Sequence, residues 1–270
     1  MNRSRVALAW RGVGFSLLLW GLASTSWAQP LPILEFLFDS GSSTVALNTG
    51  TLGVGSSGAV VGATPNTDTP NGSAFSMGFD GANDLVSVPD TFDYGSALTV
   101  EAWIKPDATD GQRAIWDDFG PPGVVFFINS LVTPNQIQLH LSTTDNPGGG
   151  IGVSGGEIIA VEWQHVAGVY DGAEMRVYLN GALVGALANS GNILDNGSLA
   201  AGIGADNTGL AVFFDGLIDD VRVFDTVLTA DELANGAFAD PIPEPSSALL
   251  LGMGCLGLVA LARKQRRSCS

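Results

Sequence analysis

The stretch from His165 to Val184 constrains this chain more than any other. His165-Val166-Ala167-Gly168-Val169-Tyr170 leads into Asp171-Gly172, Met175-Arg176-Val177-Tyr178-Leu179 leads into Asn180-Gly181, and Ala182-Leu183-Val184 follows. β-branched and aromatic residues fill the runs, while Asp-Gly and Asn-Gly tolerate the positive φ that tight hairpin turns demand. Three consecutive antiparallel strands are therefore predicted. Further β-rich runs are read at 34–38, 73–79, 85–88, 98–104, 123–128, 136–142, 199–203 and 217–224, with turn residues between them and no long helical periodicity. This pattern predicts an all-β, two-sheet antiparallel β-sandwich of the jelly-roll type. One or two helical turns are expected after the last strand, because Thr229 can cap and Glu232 stands at capping-box spacing. Residues 48–71, rich in Gly, Ser, Thr and Pro, read as a long surface loop with one short strand, and Gly148-Gly149-Gly150 as a flexible loop.

Both ends of the chain carry addresses and are set apart from the fold. At the start, Arg3, Arg5 and Arg11 flank an apolar run from 13 to 23, and Ser26-Trp27-Ala28 offers small residues to a signal peptidase, so cleavage is expected between Ala28 and Gln29. An uncleaved anchor is the alternative, but the run is shorter than the roughly 20 apolar residues a span needs. The expected organisation is a signal peptide over 1–28, one domain over 29–240 and a C-terminal segment over 241–270. Residues 29–242 hold 26 acidic and 4 basic side chains, a formal charge of −22. Such a domain is repelled by nucleic acid phosphates and by anionic membrane surfaces. Cys255 and Cys269 both lie in the C-terminal segment, so the exported domain has no disulfide of its own and depends on core burial.

Four stretches in order resemble the laminin G-like family of the concanavalin A-like superfamily. They are Ala74 to Gly81 with Asp84-Leu85-Val86, Leu98-Thr99-Val100-Glu101-Ala102-Trp103-Ile104-Lys105-Pro106, Trp163-Gln164-His165-Val166-Ala167 with Tyr178-Leu179-Asn180-Gly181, and Phe214-Asp215-Gly216-Leu217-Ile218-Asp219-Asp220-Val221-Arg222-Val223-Phe224. Trp103 and Trp163 stand at family-like strand positions and are expected in the core with Val221. The C-terminus carries a second resemblance. Pro243-Glu244-Pro245, an apolar run from 246 to 262 and the basic Arg263, Lys264, Arg266 and Arg267 are similar to the PEP-CTERM sorting signal of Gram-negative bacteria, which an exosortase processes. Those 17 mostly apolar residues can just span a bilayer, with the basic cluster held on the cytoplasmic side. A plain tail anchor without processing is the alternative.

The chemistry that the resemblance implies is binding. Glucanases of the superfamily place carboxylates at alternate positions of one strand, so that acid and nucleophile face one glycosidic bond about 5 Å apart. No such spacing occurs here, and Glu157 and Glu162, five apart, would fall on opposite faces of a strand. His140 and His165 are isolated, without zinc-type spacing or a nucleophile partner, and His165 reads as a packed structural residue. Because the superfamily often ties its first and last strands together through oxygen ligands, Asp39 and Asp219 are the candidate calcium ligands, with Asp80 and Asp84 a second pair. Solvated turn aspartates are the alternative reading. For sugar binding, Trp116-Asp117-Asp118-Phe119 combines aromatic rings for stacking with carboxylates that accept hydroxyl protons, in an expected loop beside Arg113 and Pro121-Pro122. Trp116 fits the core equally well. The expected function is an exported, non-catalytic carbohydrate- or matrix-binding protein, sorted to the cell surface or the exopolysaccharide layer. A structural or adhesion protein that binds other surface proteins is the alternative, and a glycoside hydrolase ranks third.

Overall fold

The computed structural model describes residues 30–89, 93–120, 122–128, 135–194 and 199–238. Its strands, in chain order, are β1 (Leu34–Phe36), β2 (Val45–Ala46), β3 (Gly58–Val61), β4 (Thr64–Asn66), β5 (Ser76–Asp80), β6 (Leu85–Val88), β7 (Leu98–Pro106) and β8 (Arg113–Phe119). Then follow β9 (Gly123–Ile128), β10 (Gln136–Thr143), β11 (Asn146–Glu157), β12 (Gln164–Tyr170), β13 (Glu174–Leu179), β14 (Ala182–Ala188), β15 (Ala201–Ile203) and β16 (Asp215–Phe224), and last the helix α1 (Ala230–Phe238). Every strand pairing is antiparallel. The expected all-β sandwich is what the chain forms.

The first sheet runs β14-β13-β12-β7-β16-β5-β4, and β1 lies beside β5 along the same edge of β16. The second sheet runs β11-β10-β9-β8-β15-β6-β3-β2. Alternation assigns the faces. Leu98, Val100, Ala102 and Ile104 of β7 enter the core between the sheets, as do Val124, Phe126 and Ile128 of β9 and Ile137, Leu139 and Leu141 of β10. Burial of that apolar surface, at about 25 cal/mol per Å², holds the sandwich together.

The outer face of the first sheet is closed as well. Leu228 and Leu233, from the turn before α1 and from the helix itself, pack on Ala167, Val169, Tyr178 and Phe224. The capping box starts the helix as its sequence predicts: the Thr229 N–H and hydroxyl donate to Glu232 Oε2 (2.7 and 2.8 Å), and the Glu232 N–H donates to Thr229 Oγ1 (3.2 Å). Trp103 also lies on this outer face, edge-on to the buried His165 with ring centroids 5.5 Å apart, and so is buried outside the inter-sheet core. Val221 is in the core, whereas Trp163 is half-buried and donates its Nε1–H to Asp68 Oδ1 (2.8 Å).

Two segments expected to be mainly or wholly loop carry more strand than that. Within residues 48–71 the chain makes β3 and β4, with a 3-10 turn at Val54–Ser56. The glycine-rich stretch around Gly148 to Gly150 belongs to the twelve-residue β11, which directs Ile151 and Val153 at the core. Its glycines have a steric reason. A Cβ on Gly155 would lie 2.1 Å from the Val184 carbonyl oxygen, and one on Gly185 would lie 2.5 Å from that of Ser154. The free edges of the two sheets thus abut backbone to backbone, and only glycine permits the approach.

Candidate functional site

The aspartates of the first and last strands are built into one place. β1 pairs with β16 (Phe36 opposite Val221), which carries Asp39 at the exit of β1 toward Asp219 and Asp220. A bulge between Asp219 and Arg222 puts Asp220 at φ 49° and leaves both carboxylates buried. All three aspartates bind the segment from Asn71 to Phe75. Asp39 Oδ1 accepts the N–H of Ala74 (2.7 Å) and of Phe75 (3.4 Å), Asp219 Oδ2 accepts the Ser73 hydroxyl (2.8 Å), and Asp220 Oδ2 accepts the Asn71 amide (2.9 Å). Burial pushes the Asp219 carboxyl up to about 8, with the charges of Asp220 and Asp39 adding to it. Burial also raises Asp220, against the pull of Arg222. That guanidinium further gathers Glu35 (2.9 Å) and Glu101 (3.6 Å), and is the cation that tempers this acidic group.

Carboxylate, amide and hydroxyl oxygens around a buried surplus of negative charge suit a hard, oxygen-seeking cation and not zinc. Among the described residues, no three His, Cys, Asp or Glu side chains converge where one ion could be held. A calcium ion here would therefore draw on Ser73, Asn71 or main-chain oxygens as well as on Asp39 and Asp219. The second pair is a turn: Asp84 Oδ2 accepts the Asp80 N–H (2.9 Å), and Asp80 Oδ1 accepts the N–H of Ala82 and Asn83.

The expected sugar loop is corrected. Trp116, Asp117, Asp118 and Phe119 lie on β8, and Trp116 and Asp118 point inward. Trp116 is wholly buried and donates its Nε1–H to the Tyr94 hydroxyl (3.0 Å), which donates to Asp118 Oδ2 (2.8 Å). A ring so enclosed offers no face to a sugar. Asp117, opposite Val125 and Gly202, turns to the outer face of the second sheet and is itself buried.

That outer face carries a polar group that sequence reasoning missed. Ile137, Leu139 and Leu141 face the core, so Gln138 and His140 face out, opposite Ser154 and Gly152 of β11. A Cβ on Gly152 would lie 2.4 Å from Gln138 Nε2, and one on Gly150 would lie 2.9 Å from His140 Cε1. Both long side chains thus lie flat across the glycines of β11, forming a low shelf with Val125 and Asp117 beside it. Burial lowers the His140 imidazole below its ordinary range, so it is neutral at pH 7 and presents one donor and one acceptor. The glycines of β11 were the available signal, once read as clearance for neighbouring side chains.

The chain belongs to the concanavalin A-like lectin/glucanases superfamily, whose model matches residues 80–234. Residues 241–267 match the PEP-CTERM protein-sorting motif, a mark of export with transient membrane anchoring in Gram-negative bacteria. No curated protein matches the chain. Among solved structures, domain 4 of the extracellular arabinanase AbnA from Geobacillus stearothermophilus, in complex with arabinotriose, is similar with a TM-score of 0.60 and 16% identity, over 78% of this chain and 100% of that one. The binding domain of Paraclostridial Mosquitocidal Protein 1 gives 0.59 and 13%, over 77% and 52%. The botulinum neurotoxin serotype D binding domain gives 0.54 and 14%, over 77% and 51%, so the chain spans about half of each of those two. At these identities the likeness is one of fold. Ala28, Gln29, Pro243, Glu244, Pro245 and the apolar run from 246 to 262 lie outside the described residues. Among the described residues, no helix is long and apolar enough to cross a membrane.

Proposed function

We propose that the domain is a non-catalytic glycan-binding module that docks a saccharide on the outer face of the second sheet, across β10 and β11. The flat shelf of Gln138 and His140 over Gly152 and Gly150 carries this reading. Amide, neutral imidazole and the Ser154 hydroxyl supply donors and acceptors at the spacing of adjacent strands, about 4.8 Å, which suits the hydroxyls of one or two sugar rings. Asp117 of β8 and Glu157, opposite Gln136 at the end of β11, are carboxylates toward this face, and the alternate-position carboxylates of the superfamily's glucanases do not occur in the sequence, which supports binding without cleavage. The arabinotriose in the complex of the arabinanase domain agrees with a saccharide as ligand class.

Calcium is proposed as a structural partner held by Asp39 and Asp219 with Ser73, Asn71 or main-chain oxygens, away from the shelf, where it would offset the buried negative charge. An exosortase-type enzyme would act at Pro243-Glu244-Pro245 and leave the module at the cell surface or in the exopolysaccharide layer. A glycan array probed with and without chelator tests the binding claim. Gln138→Ala and His140→Ala should each weaken the best signal at least about tenfold with the melting temperature preserved. An array without signal, or variants that bind as the wild type does, would sink it.

A further inference from the structure

Four Asn-Gly pairs occur in the chain, at 71–72, 180–181, 196–197 and 235–236. In such a pair the glycine nitrogen can attack the asparagine side-chain carbon, because no Cβ stands in the way and the backbone tolerates the ring that forms. How the fold holds the side chain decides whether it does so. Asn180 is turned away: its Oδ1 accepts the His165 N–H (2.9 Å) and its own N–H donates to the His165 carbonyl (2.8 Å), which ties side chain and main chain back to β12. Gly236 lies inside α1, where helical dihedrals fix the peptide. Asn196 lies outside the described residues.

Asn71 is held the other way. Its Oδ1 accepts the Ser73 N–H (3.3 Å), so the side chain folds forward over the Gly72 peptide, and its Nδ2 donates to Asp220 Oδ2 (2.9 Å). Both residues are exposed, Gly72 has φ 81°, and a Cβ there would meet nothing within 4 Å. The flanks are fixed. The Asp68 carboxylate accepts the Lys105 ammonium (2.6 Å), the Asp68 carbonyl accepts the Ser76 hydroxyl (2.7 Å), and the Ala74 N–H donates to Asp39 (2.7 Å). A turn pinned on both sides, with the side chain folded over the next nitrogen, keeps the two reacting atoms close, and the Ser73 N–H meets the charge that grows on Oδ1.

We propose that Asn71-Gly72 is a self-modifying site, converted to aspartate and isoaspartate, that regulates the cation group of Asp39 and Asp219. The Gly72 nitrogen, its proton lost to solvent, bonds to Asn71 Cγ; the Cγ–Nδ2 bond breaks, and that nitrogen takes up a proton and leaves as ammonia. The cyclic imide then adds one water and opens at either carbonyl. The product exchanges the amide that donated to Asp220 for a carboxylate that faces a carboxylate. Two such groups repel unless a cation joins them, so conversion strengthens the hold on calcium. Among the described residues no three His, Cys, Asp or Glu side chains converge on one ion, and conversion adds an acidic oxygen pair where one is lacking. The regulatory half rests on the calcium reading given above.

Peptide mapping by mass spectrometry of the full chain, kept folded in non-ionic detergent at mildly alkaline pH, follows conversion at each pair. Asn71 should convert at least about tenfold faster than Asn180, and unfolding in urea should erase the difference. Calorimetric titration with calcium, after stripping with chelator, reads the consequence. Asn71→Asp, which supplies the carboxylate at once, should bind calcium at least about tenfold more tightly than the freshly prepared wild type. Should that variant fail to fold without calcium, wild type aged to full conversion takes its place in the titration. An Asn71 that stays an amide as long as Asn180 does, or a rate difference that persists in urea, overturns the proposal. So does an Asn71→Asp chain that binds calcium no more tightly than a wild type that binds it. If neither protein binds calcium while Asn71 converts as stated, the calcium reading of Asp39 and Asp219 falls, and the regulation falls with it.

Discussion

Asp219→Asn separates a tolerated buried charge from a calcium ligand. In the folded chain Asp219 keeps its proton up to about pH 8, whereas in the unfolded chain it releases it near 3.8, the ordinary value of an aspartate. Between those values the folded state binds the extra proton, so, without a cation, stability falls as pH rises through that window. At pH 7 the group lies about three units above its unfolded value, which at about 1.4 kcal/mol per unit sets a ceiling of about 4 kcal/mol. The amide keeps one of the two hydrogen bonds that the carboxylate accepts, from Ser73 Oγ and the Asp220 N–H, and loses about 1 kcal/mol with the other. Neighbouring Asp220 shares part of the relief. The net expectation is that Asp219→Asn, in chelator, is more stable than the wild type by about 2 kcal/mol at pH 7 and no more stable at pH 4. Urea unfolding of residues 29–240 from pH 4 to 8 measures this. Calcium at a hundredfold excess over its Kd should then add about 2.7 kcal/mol to the wild type and little to the variant. Parallel pH profiles for the two proteins would refute the charge argument, and a wild-type curve indifferent to chelator at pH 7 would refute calcium as a structural ion.

Other substitutions probe the frame. Trp116→Ala should cost about 3–5 kcal/mol in urea unfolding, because it empties the core and removes the Nε1–H that the Tyr94 hydroxyl accepts; a stable variant that merely loses glycan binding would restore the exposed-loop reading. Gly185→Val drives a side chain against the Ser154 carbonyl and should cost about 1–3 kcal/mol, whereas an unchanged melting curve would mean that the sheet edges do not abut. Thr229→Ala removes the helix cap and should cost about 1 kcal/mol, seen as faster hydrogen exchange in α1; unchanged exchange would show the cap to be idle.

The hairpins from 165 to 188 were legible because their turn residues and alternation agree, and the topology let Asp39 and Asp219 be paired across 180 positions, since β1 and β16 do lie side by side. Ser73, Ala74 and Phe75 could not be foreseen as their partners, because nothing local tells which loop crosses a bulge. β8 was misread because a bulge between Ala114 and Trp116 breaks its alternation and two consecutive carboxylates imitate a solvated turn, when one of them is buried on Tyr94. β11 was misread because six of its twelve residues, at 148, 149, 150, 152, 155 and 156, are glycines that carry no β-propensity signal, and Gly150 and Gly152 give room to His140 and Gln138. The shelf was invisible for the same reason: it is made by side chains on one strand and by their absence on the next.

The central claim, saccharide binding without cleavage, is tested most directly by incubating residues 29–240 with the glycan that an array ranks first and following retention and reducing-end release in the same sample. Retention without release above a buffer control, lost together in Gln138→Ala and His140→Ala, is the predicted result. Reducing-end release by the wild type, or retention that both variants keep in full, would contradict it.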